Sequence, residues 1–330
     1  MAFTQLIDED DHQELSQDTK EFLTTLPKNK GWRTRHLYLF QGFWCQAKEI
    51  QAILSFQQHF RAQANDIIVA SIPKTGTTWL KALTFSVVNR NLLSLGEKHP
   101  LLTSNPHDLV PFLEYNLYAN NNIPAVSDST SPRLMATHVP FQALPDSIRM
   151  ESGNARVVYI SRNPFDTFIS IWHFMSKLRP EELGPFSFKE AFDTYCKGVI
   201  GYGPYWEHML GYWKESLENP DKVLFLKYEE MKENITVHLK RLAEFLGCPF
   251  SAEEEKAGVI EEVAKLCSFE NLKELDVNKN GKSIANFENK HLFRTAKVGG
   301  WRNHFTPSMV EQLSTLMEQK LAGSGLSFNI

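Results

Sequence analysis

A chain of 330 residues with 42% hydrophobic and 22% charged residues has the size and composition of one large α/β domain or of two average domains. This composition excludes an intrinsically disordered or fibrous protein. The 35 basic and 39 acidic residues give a formal net charge of -4, which excludes a general nucleic-acid binder because such proteins carry a basic excess. Any anionic ligand must therefore be held by a local site.

The sequence carries neither a membrane-spanning nor an export pattern. The longest apolar runs have four residues, far fewer than the roughly 20 needed to cross a bilayer. The N-terminus lacks a basic region followed by an apolar one. The 4 cysteines have no CxxC spacing, so we expect neither a zinc site nor a disulfide framework. The predicted compartment is the reducing cytoplasm.

Short apolar runs predict four buried strands, at residues 67–70, 133–137, 157–160 and 223–226. Continuous apolar runs are typical of strands covered on both faces, as in parallel sheets. Helical patterns and capping signals predict helices at residues 77–90, 231–246, 251–266 and 306–323. Because strands and helices alternate, the sequence predicts a single α/β domain over residues 1–330, with a central parallel sheet flanked by helices.

Three segments do not fit this alternation. Residues 1–20 are predicted to be a flexible N-terminus. Residues 94–132 and 276–291 are polar and rich in asparagine, and residues 94–132 are also rich in proline and serine. Long segments of this kind in a compact domain are usually functional loops or disordered. We expect loops over a binding site, and surface insertions are the alternative.

Each predicted strand ends at a residue suited to catalysis or anion binding. In open α/β sheets, ligands bind at the carboxyl ends of the strands. The four strand ends are followed by the turn at 73–79, by His138, by Arg162 and by Tyr228. The same placement at all four strands indicates one functional edge of the sheet.

The turn at 73–79 (PKTGTTW) has the pattern of a phosphate-binding turn. A strand, a turn and a helix leave several N–H groups pointing at one spot, where the helix dipole adds positive potential. Lys74 supplies a cation, Gly76 allows a tight turn, and Thr77 and Thr78 add hydroxyl groups. The order differs from a Walker A loop, in which lysine follows glycine, and no acidic magnesium partner is evident. The turn predicts a phosphate-bearing donor handled without metal; an ordinary turn with a solvated lysine is the alternative.

Two further strand-end residues are candidates for the same site. Arg162 precedes Asn163 and Pro164, and its guanidinium group matches the paired oxygens of a phosphate. His138 is a candidate general base, because a neutral imidazole accepts a proton near neutral pH. An ordinary strand-end arginine and a structural histidine are the alternatives.

Six motifs together resemble the cytosolic sulfotransferases. They are PKTGTTWLKAL at 73–83, RLMATH at 133–138, RNPFDTFIS at 162–170, FRTAKVGGWRNHFT at 293–306, PKNKGW at 27–32 and FQGFW at 40–44. The last two look like the plant branch of the family, which includes flavonol and steroid sulfotransferases. The motifs occur in the family's order and cover nearly the whole chain.

The resemblance implies a single domain with the P-loop NTPase-like sulfotransferase fold, related to nucleotide kinases. It also implies transfer of a sulfuryl group from 3′-phosphoadenosine 5′-phosphosulfate (PAPS) to a hydroxyl of a small aromatic or polycyclic acceptor. Flavonoids, other phenolics, steroids and hydroxylated hormones all fit that class. The expected partners are PAPS and this acceptor, with no nucleic acid, membrane or metal.

The resemblance also implies roles for individual residues. His138 corresponds to the catalytic base, and Lys74 stabilises the leaving nucleotide. The phosphosulfate end of the nucleotide would contact Lys74, Thr75, Gly76, Thr77, Thr78 and Trp79. Its 3′-phosphate would contact Arg162, Ser170, Arg294, Thr295 and Ala296. Its adenosine would contact Tyr228, Cys267, Phe269 and again Trp79. The candidate acceptor residues are Phe43, Trp44, Phe112, Tyr115 and Phe174.

The sequence departs from the family pattern in three places. Ala136 stands where the family often has lysine, and Thr295-Ala296 stands where it normally has Lys-Gly, which predicts a weaker clamp on the 3′-phosphate. The family's dimer segment is altered around residues 302–311, so we expect a monomer, with a homodimer as the alternative. A P-loop kinase and a nucleotide-binding protein without turnover are the rival functions.

Overall fold

The computed structural model describes residues 15–93, 95–96, 98–124, 132–150, 155–283 and 287–329. The strands are β1 (Lys28–Lys30), β2 (His36–Phe40), β3 (Phe43–Cys45), β4 (Ile67–Ala70), β5 (Leu134–Thr137), β6 (Arg156–Ser161), β7 (Val223–Lys227), β8 (Lys282–Ser283) and β9 (Phe287–Glu288). The longer helices are α1 (Gln17–Thr24), α2 (Ala47–His59), α3 (Thr77–Asn89), α6 (Pro164–Leu178), α7 (Phe188–Cys196), α8 (Tyr205–Glu218), α10 (Ile235–Phe245), α12 (Val259–Leu266) and α15 (Pro307–Leu321).

Shorter helical segments complete the chain. The α-helical ones are α4 (Pro106–Leu109), α5 (Asp146–Arg149), α9 (Tyr228–Glu233), α11 (Ala252–Lys256), α13 (Phe269–Glu274) and α14 (Asp276–Lys279). One π-helical turn spans Leu113–Leu117. Turns of 3₁₀-helix span Pro100–Leu102, Ala119–Asn121, Phe141–Ala143, Glu181–Leu183, Asn289–Leu292 and Gly300–Asn303. In the described ranges, no helix is long and apolar enough to cross a membrane.

The predicted parallel sheet is present. Its strand order is β5-β4-β6-β7, and all neighbouring strands run parallel. Ile68 and Tyr159 face one apolar cluster, whereas Val69 and Val158 face the other. Alternate side chains of a strand point to opposite faces, so helices on both sides of the sheet bury every residue of these runs. This double coverage explains why the runs are continuously apolar.

Two predicted helices are each broken in two. The helix expected over 251–266 is interrupted at Gly258, which has a φ of +79° and ends α11 before α12 begins. The helix expected over 231–246 is preceded by α9 and starts at Ile235, because the side chain of Asn234 accepts a hydrogen bond from the backbone of Val237. The predictions of helices after β4 and at the C-terminus are confirmed.

An N-terminal antiparallel sheet of β1, β2 and β3 was missed by the sequence analysis. Gln41 and Gly42 join β2 to β3 with φ values of +49° and +87°, as in a two-residue type I′ hairpin turn. The prediction of a flexible segment over 1–20 is wrong in part, because α1 begins at Gln17 with Ser16 as its N-cap. Residues 1–14 lie outside the described residues.

The two predicted loops are also more ordered than expected. Within 94–132, Asn105 caps α4 with Pro106 at its first position, a start signal that the sequence did contain. The Leu113–Leu117 turn follows, whereas residues 94, 97 and 125–131 lie outside the described residues. Within 276–291, α14 and the β8–β9 pair are joined by buried asparagines; Asn289 donates to the Val277 carbonyl.

Candidate active site

A cavity of about 350 Å³ lies at the carboxyl ends of β4, β5 and β6. The predicted site residues that line it are Lys74, Gly76, Thr77, Thr78, Trp79, Phe112, Tyr115, His138, Arg162, Ser170, Phe174, Tyr228, Cys267, Phe269, Arg294 and Ala296. The predicted residues that do not line it are Phe43, Trp44, Thr75 and Thr295.

The turn after β4 presents backbone N–H groups to the cavity. Gly76 has a φ of +121°, and a Cβ there would lie 2.8 Å from Ile160 Cδ1 and 3.0 Å from Tyr228 Cδ2. Only glycine fits both this conformation and this space. The turn leads into α3 at Thr77, so unpaired N–H groups and the helix dipole favour an anion here.

Thr75 has a structural part in this turn. Its hydroxyl lies 2.9 Å from the carbonyl oxygen of Ile72 and 3.0 Å from that of Ile160, so it faces the strand ends. A contact between Thr75 and a ligand would therefore use its backbone N–H. Lys74, next to it, has a φ of +73°, a conformation that L-residues rarely adopt and that occurs mostly at functional sites.

The Lys74 amine is buried among other cations. Its Nζ lies 3.9 Å from the centroid of the Phe174 ring. Burial lowers the pKa of Lys74 to about 7, and the positive charges of Arg294, Arg162 and Lys177 act in the same direction. A bound anion opposes both effects, so anion binding and protonation of Lys74 are coupled.

Arg162 directly follows β6, and its guanidinium group could bind a second anion. Its Nη2 donates to the Lys297 carbonyl at 2.7 Å, and its Cζ lies 4.6 Å from the centroid of the Tyr228 ring. Its Nε is buried and has no hydrogen-bond partner among the described residues. A buried N–H donor without a partner is costly, so this atom favours a ligand oxygen. Ser170, on α6, lines the cavity nearby.

Asp166 holds the C-terminal segment against this edge of the sheet. Its carboxylate accepts hydrogen bonds from the backbone N–H of Gly299 at 2.7 Å and of Trp301 at 3.1 Å. The side-chain amide of Asn163 donates to the same carboxylate at 3.0 Å. The RNPFD motif therefore supplies both an anion-binding arginine and the anchor for the segment that closes the cavity.

Within that segment, the predicted residues point in different directions. Arg294 and Ala296 line the cavity, and the Tyr228 hydroxyl donates to the Ala296 carbonyl at 3.0 Å. Thr295 is exposed, so its hydroxyl is not placed to substitute for the family's lysine. Ala296 has a φ of +52°, which is the left-handed conformation that glycine adopts without strain.

His138 follows β5 with its ring in a fixed orientation. Its Nδ1 lies 2.6 Å from the Ser71 carbonyl oxygen, so Nδ1 carries the hydrogen and donates it. Nε2 then has a free lone pair. Burial lowers the pKa of His138 to about 3, which keeps the ring neutral at pH 7. A neutral ring with a free Nε2 is the form that a general base requires.

Glu114 contacts the two residues at the end of β5, through the Thr137 side chain and the His138 backbone. One carboxylate oxygen accepts from the His138 N–H at 2.7 Å, and the other accepts from the Thr137 hydroxyl at 3.0 Å. Burial raises the pKa of Glu114 to about 7. This carboxyl group thus fixes the position of His138.

Aromatic rings surround His138. The ring centroids of Phe112, Tyr202 and Tyr115 lie 4.7, 5.6 and 6.0 Å from that of His138. These three rings and that of Phe174 line the cavity. Flat apolar molecules are the ligands that such walls favour.

Phe43 and Trp44 support this wall from behind. The Phe43 ring stacks on that of Tyr202, with centroids 6.3 Å apart. The backbone of Trp44 donates to Gly203 at 2.9 Å and accepts from Tyr202 at 2.6 Å. These two residues therefore position Tyr202, and neither reaches the cavity itself.

Polar residues that the sequence analysis missed include Arg33, Glu49, His107 and Tyr202, which line the cavity, and Glu114, which contacts His138. Tyr115 links two of them: its hydroxyl donates to Glu49 at 2.8 Å and accepts from Tyr202 at 2.9 Å. Arg33 donates to Gln46 at 2.8 Å, and its Nε is buried without a partner among the described residues. None of the five directly follows a strand of the central sheet, so the strand-end rule gave no signal for them.

This fold and this site define a class of enzymes. A parallel sheet with an anion-binding turn, a second anion site and a neutral histidine at one edge is typical of enzymes that move an anionic group from a nucleotide to an acceptor.

Comparisons with known proteins narrow the class to one family. Residues 64–325 match the family model for the sulfotransferase domain. The chain is 58% identical over 319 residues to cytosolic sulfotransferase 15 of Arabidopsis thaliana, covering 96% of this chain and 88% of that one. A crystal structure of an Arabidopsis thaliana sulphotransferase superposes with a TM-score of 0.74 at 40% identity, covering 98% of each chain. Retinol dehydratase, in complex with androsterone and the inactive cofactor PAP, shares the fold at 19% identity with a TM-score of 0.72, over 95% of this chain and 96% of that one.

The chain belongs to the sulfotransferase family and is a sulfuryl-transfer enzyme. The prediction made from the six sequence motifs is confirmed, as is the predicted single parallel sheet with helices on both faces.

Proposed function

We propose that the enzyme transfers the sulfuryl group of PAPS to a hydroxyl of a small aromatic or polycyclic acceptor, with His138 as the general base. One observation carries the proposal: the turn at Lys74 and the ring of His138, with its free Nε2, line one cavity in which aromatic rings surround His138. The nucleotide would occupy the end near Arg162, and the acceptor would occupy the end near Phe112 and Tyr115.

The chemistry is an in-line displacement at sulfur. The acceptor hydroxyl gives its proton to His138 Nε2 while its oxygen forms the new bond to sulfur. The bond between sulfur and the bridging oxygen of PAPS breaks, which leaves a sulfate ester and 3′-phosphoadenosine 5′-phosphate (PAP). Lys74 and the N-terminus of α3 would stabilise the charge that develops on the bridging oxygen.

A transfer assay with sulfur-labelled PAPS tests this function. We expect label to appear on at least one member of a panel of flavonols, simple phenols, steroids and hydroxylated hormones. His138→Ala should lower the rate by about 10²–10⁴-fold while PAP affinity stays within a factor of two. His238→Ala, in helix α10, is the matched control because His238 does not line the cavity, and this variant should keep the parent rate. A His138→Ala enzyme with the parent rate would remove His138 as the base.

Two rival functions are separated by the same assay. A kinase would need a magnesium ion, and the turn at 73–79 lacks the Walker A order in which the lysine follows the glycine. We therefore expect transfer to survive excess EDTA; loss with EDTA and recovery with magnesium would favour a kinase. PAP binding by calorimetry without transfer to any acceptor would favour a binding protein.

Cellular location and assembly complete the proposal. The curated relatives are named cytosolic sulfotransferases, which supports a cytosolic location for this chain. A monomer remains our prediction from the altered dimer segment, and sedimentation velocity at micromolar concentration tests it against a homodimer.

A further inference from the structure

One buried lysine outside the cavity wall is placed to act on the anion-binding turn. Lys81 lies in α3, three residues after Thr78, so the two side chains share one face of the helix. It is fully buried and does not line the cavity. Its Nζ lies 2.9 Å from His107 Nδ1 and 3.2 Å from the centroid of the Phe112 ring.

His107 connects Lys81 to the cavity. Its Nε2 lies 3.0 Å from Thr78 Oγ1, so both ring nitrogens are engaged. The ring also stacks on Phe112, with centroids 5.3 Å apart and an angle of 19° between the planes. The Asn105 side chain accepts from the His107 backbone at 2.9 Å, which fixes the start of α4. The His107 ring therefore has one defined orientation.

The donors present set the direction of these hydrogen bonds. A protonated lysine has three N–H donors and no acceptor, whereas a neutral one has two donors and one acceptor lone pair. Burial lowers the pKa of Lys81 well below its ordinary value, against the charges of Glu114 and Asp108, and the face of the Phe112 ring favours the protonated form, which can only donate to His107. Burial and the Lys81 charge lower the pKa of His107 well below its ordinary value, so its ring is neutral. With Nδ1 accepting from Lys81, the ring hydrogen is on Nε2.

We propose that Lys81 is a positioning residue for the donor: through His107 it directs the Thr78 hydroxyl hydrogen towards the anion at the N-terminus of α3. His107 Nε2 donates to Thr78 Oγ1, and the hydroxyl hydrogen is then free for an anionic oxygen. With the other tautomer, Thr78 would donate to His107 and would turn only lone pairs towards that oxygen. The identity of the anion, the 5′-phosphosulfate, rests on the proposed function.

Calorimetric titration tests this relay with two nucleotides. PAP carries a 5′-phosphate, whereas adenosine 3′-phosphate lacks it. Lys81→Met should weaken PAP binding about tenfold and leave adenosine 3′-phosphate within a factor of two, because one hydrogen bond to a charged group is lost. Lys222→Met is the matched control: that buried lysine contacts the Met150 carbonyl, away from the cavity, and its loss should change neither affinity.

A double-mutant cycle separates the relay from a general packing effect. Thr78→Val removes the hydroxyl at nearly constant volume and should also weaken PAP binding about tenfold. In the Thr78→Val background, Lys81→Met should have no further effect. Additive losses, or equal losses for both nucleotides, would overturn the relay. Failure of the unmodified chain to bind PAP would instead overturn the proposed function.

The tautomer itself can be measured on the unmodified chain, so the test does not depend on a variant that folds. Nitrogen-15 and carbon-13 shifts distinguish the two neutral forms of histidine and the charged form. The His107 signal, assigned by its loss in His107→Gln, should show the hydrogen on Nε2. A hydrogen on Nδ1, or a charged ring, would contradict the proposal.

Discussion

The two ends of the cavity differ in charge and in origin. The end near Lys74 is rich in cations, and burial together with repulsion between these cations lowers the pKa of Lys74 and of Arg294. The end near His138 contains buried carboxyl groups, and burial raises the pKa of Glu49 and Glu114. The first end suits an anionic donor and the second a neutral acceptor, so each can be perturbed separately.

The two ends also depend differently on chain topology. The donor end uses motifs that follow directly from β4 and β6, joined by one C-terminal segment. The acceptor end combines α2, the Leu113–Leu117 turn and Tyr202, which are far apart in sequence. A change in the donor turn should therefore affect both stability and nucleotide binding, whereas changes at the acceptor end should act through longer-range packing.

The largest expected effect is from Gly76→Ala. The new Cβ would need a φ of +121° and would lie 2.8 Å from Ile160 Cδ1. We expect a loss of roughly 1–3 kcal/mol in the free energy of unfolding from backbone strain alone, with further loss from the close contact, and no measurable nucleotide binding. Urea denaturation and PAP calorimetry measure both.

Gly323→Ala is the control that shows how much stability is lost through backbone strain alone. Gly323 also has a positive φ, +75°, but nothing lies within 4 Å of a Cβ there. Its replacement should cost only the strain, about 1 kcal/mol, and leave PAP binding unchanged. Equal losses in the two variants would show that the close contact at Gly76 has no effect.

The sequence predicted the donor end of the cavity better than the acceptor end. The strands were predictable because a buried parallel strand is continuously apolar. Lys74 and Arg162 were predictable as candidate site residues because ligands bind at the carboxyl ends of such strands. Glu114 and Tyr202 were not, because their functional position depends on how distant segments pack. Thr295 shows a further limit: sequence motifs gave the segment but not which of its side chains faces the cavity.

The next prediction concerns Glu114 at the acceptor end and how its contribution to stability depends on pH. Burial raises the pKa of Glu114 from 4.5 to about 7. A carboxyl group whose pKa is higher in the folded than in the unfolded state stabilises the folded protein most below pH 4.5. This stabilisation is lost as the pH rises towards 7. At about 1.4 kcal/mol per unit, the loss is roughly 3 kcal/mol. Glu114→Gln should not show it.

Urea denaturation between pH 4.5 and 7.5 measures this difference. The parent should lose stability relative to Glu114→Gln as the pH rises. Glu254→Gln is a control of opposite sign and is measured below pH 4.5, because hydrogen bonding to Arg90 lowers the pKa of Glu254 below 4.5 and its stabilisation is lost as the pH falls further. Parallel profiles for the parent and Glu114→Gln would contradict the assignment of a raised pKa.

At the donor end, a smaller effect links nucleotide binding to protonation of Lys74. Its pKa of about 7 in the free enzyme should rise when an anion binds. PAP affinity should then fall about tenfold per pH unit above pH 7, until the pH reaches the raised pKa. Calorimetry at pH 8 in two buffers should detect uptake of about one proton. Lys74→Arg, which stays charged, should bind without uptake; the same pH slope in both proteins would exclude Lys74 as its source.

The smallest effect distinguishes a preformed donor end from one that forms on binding. Ala296 has a φ of +52°; Tyr228 donates to its carbonyl, and Arg162 donates to that of Lys297. Ala296→Gly removes the strain, so the free energy of unfolding should rise by about 1 kcal/mol. Because both contacts are made within the protein itself, this conformation needs no nucleotide, and PAP affinity should stay within a factor of two. A gain of severalfold in affinity without a gain in stability would mean that the segment around Ala296 adopts this conformation only when the nucleotide binds. The prediction of a preformed donor end would then be wrong.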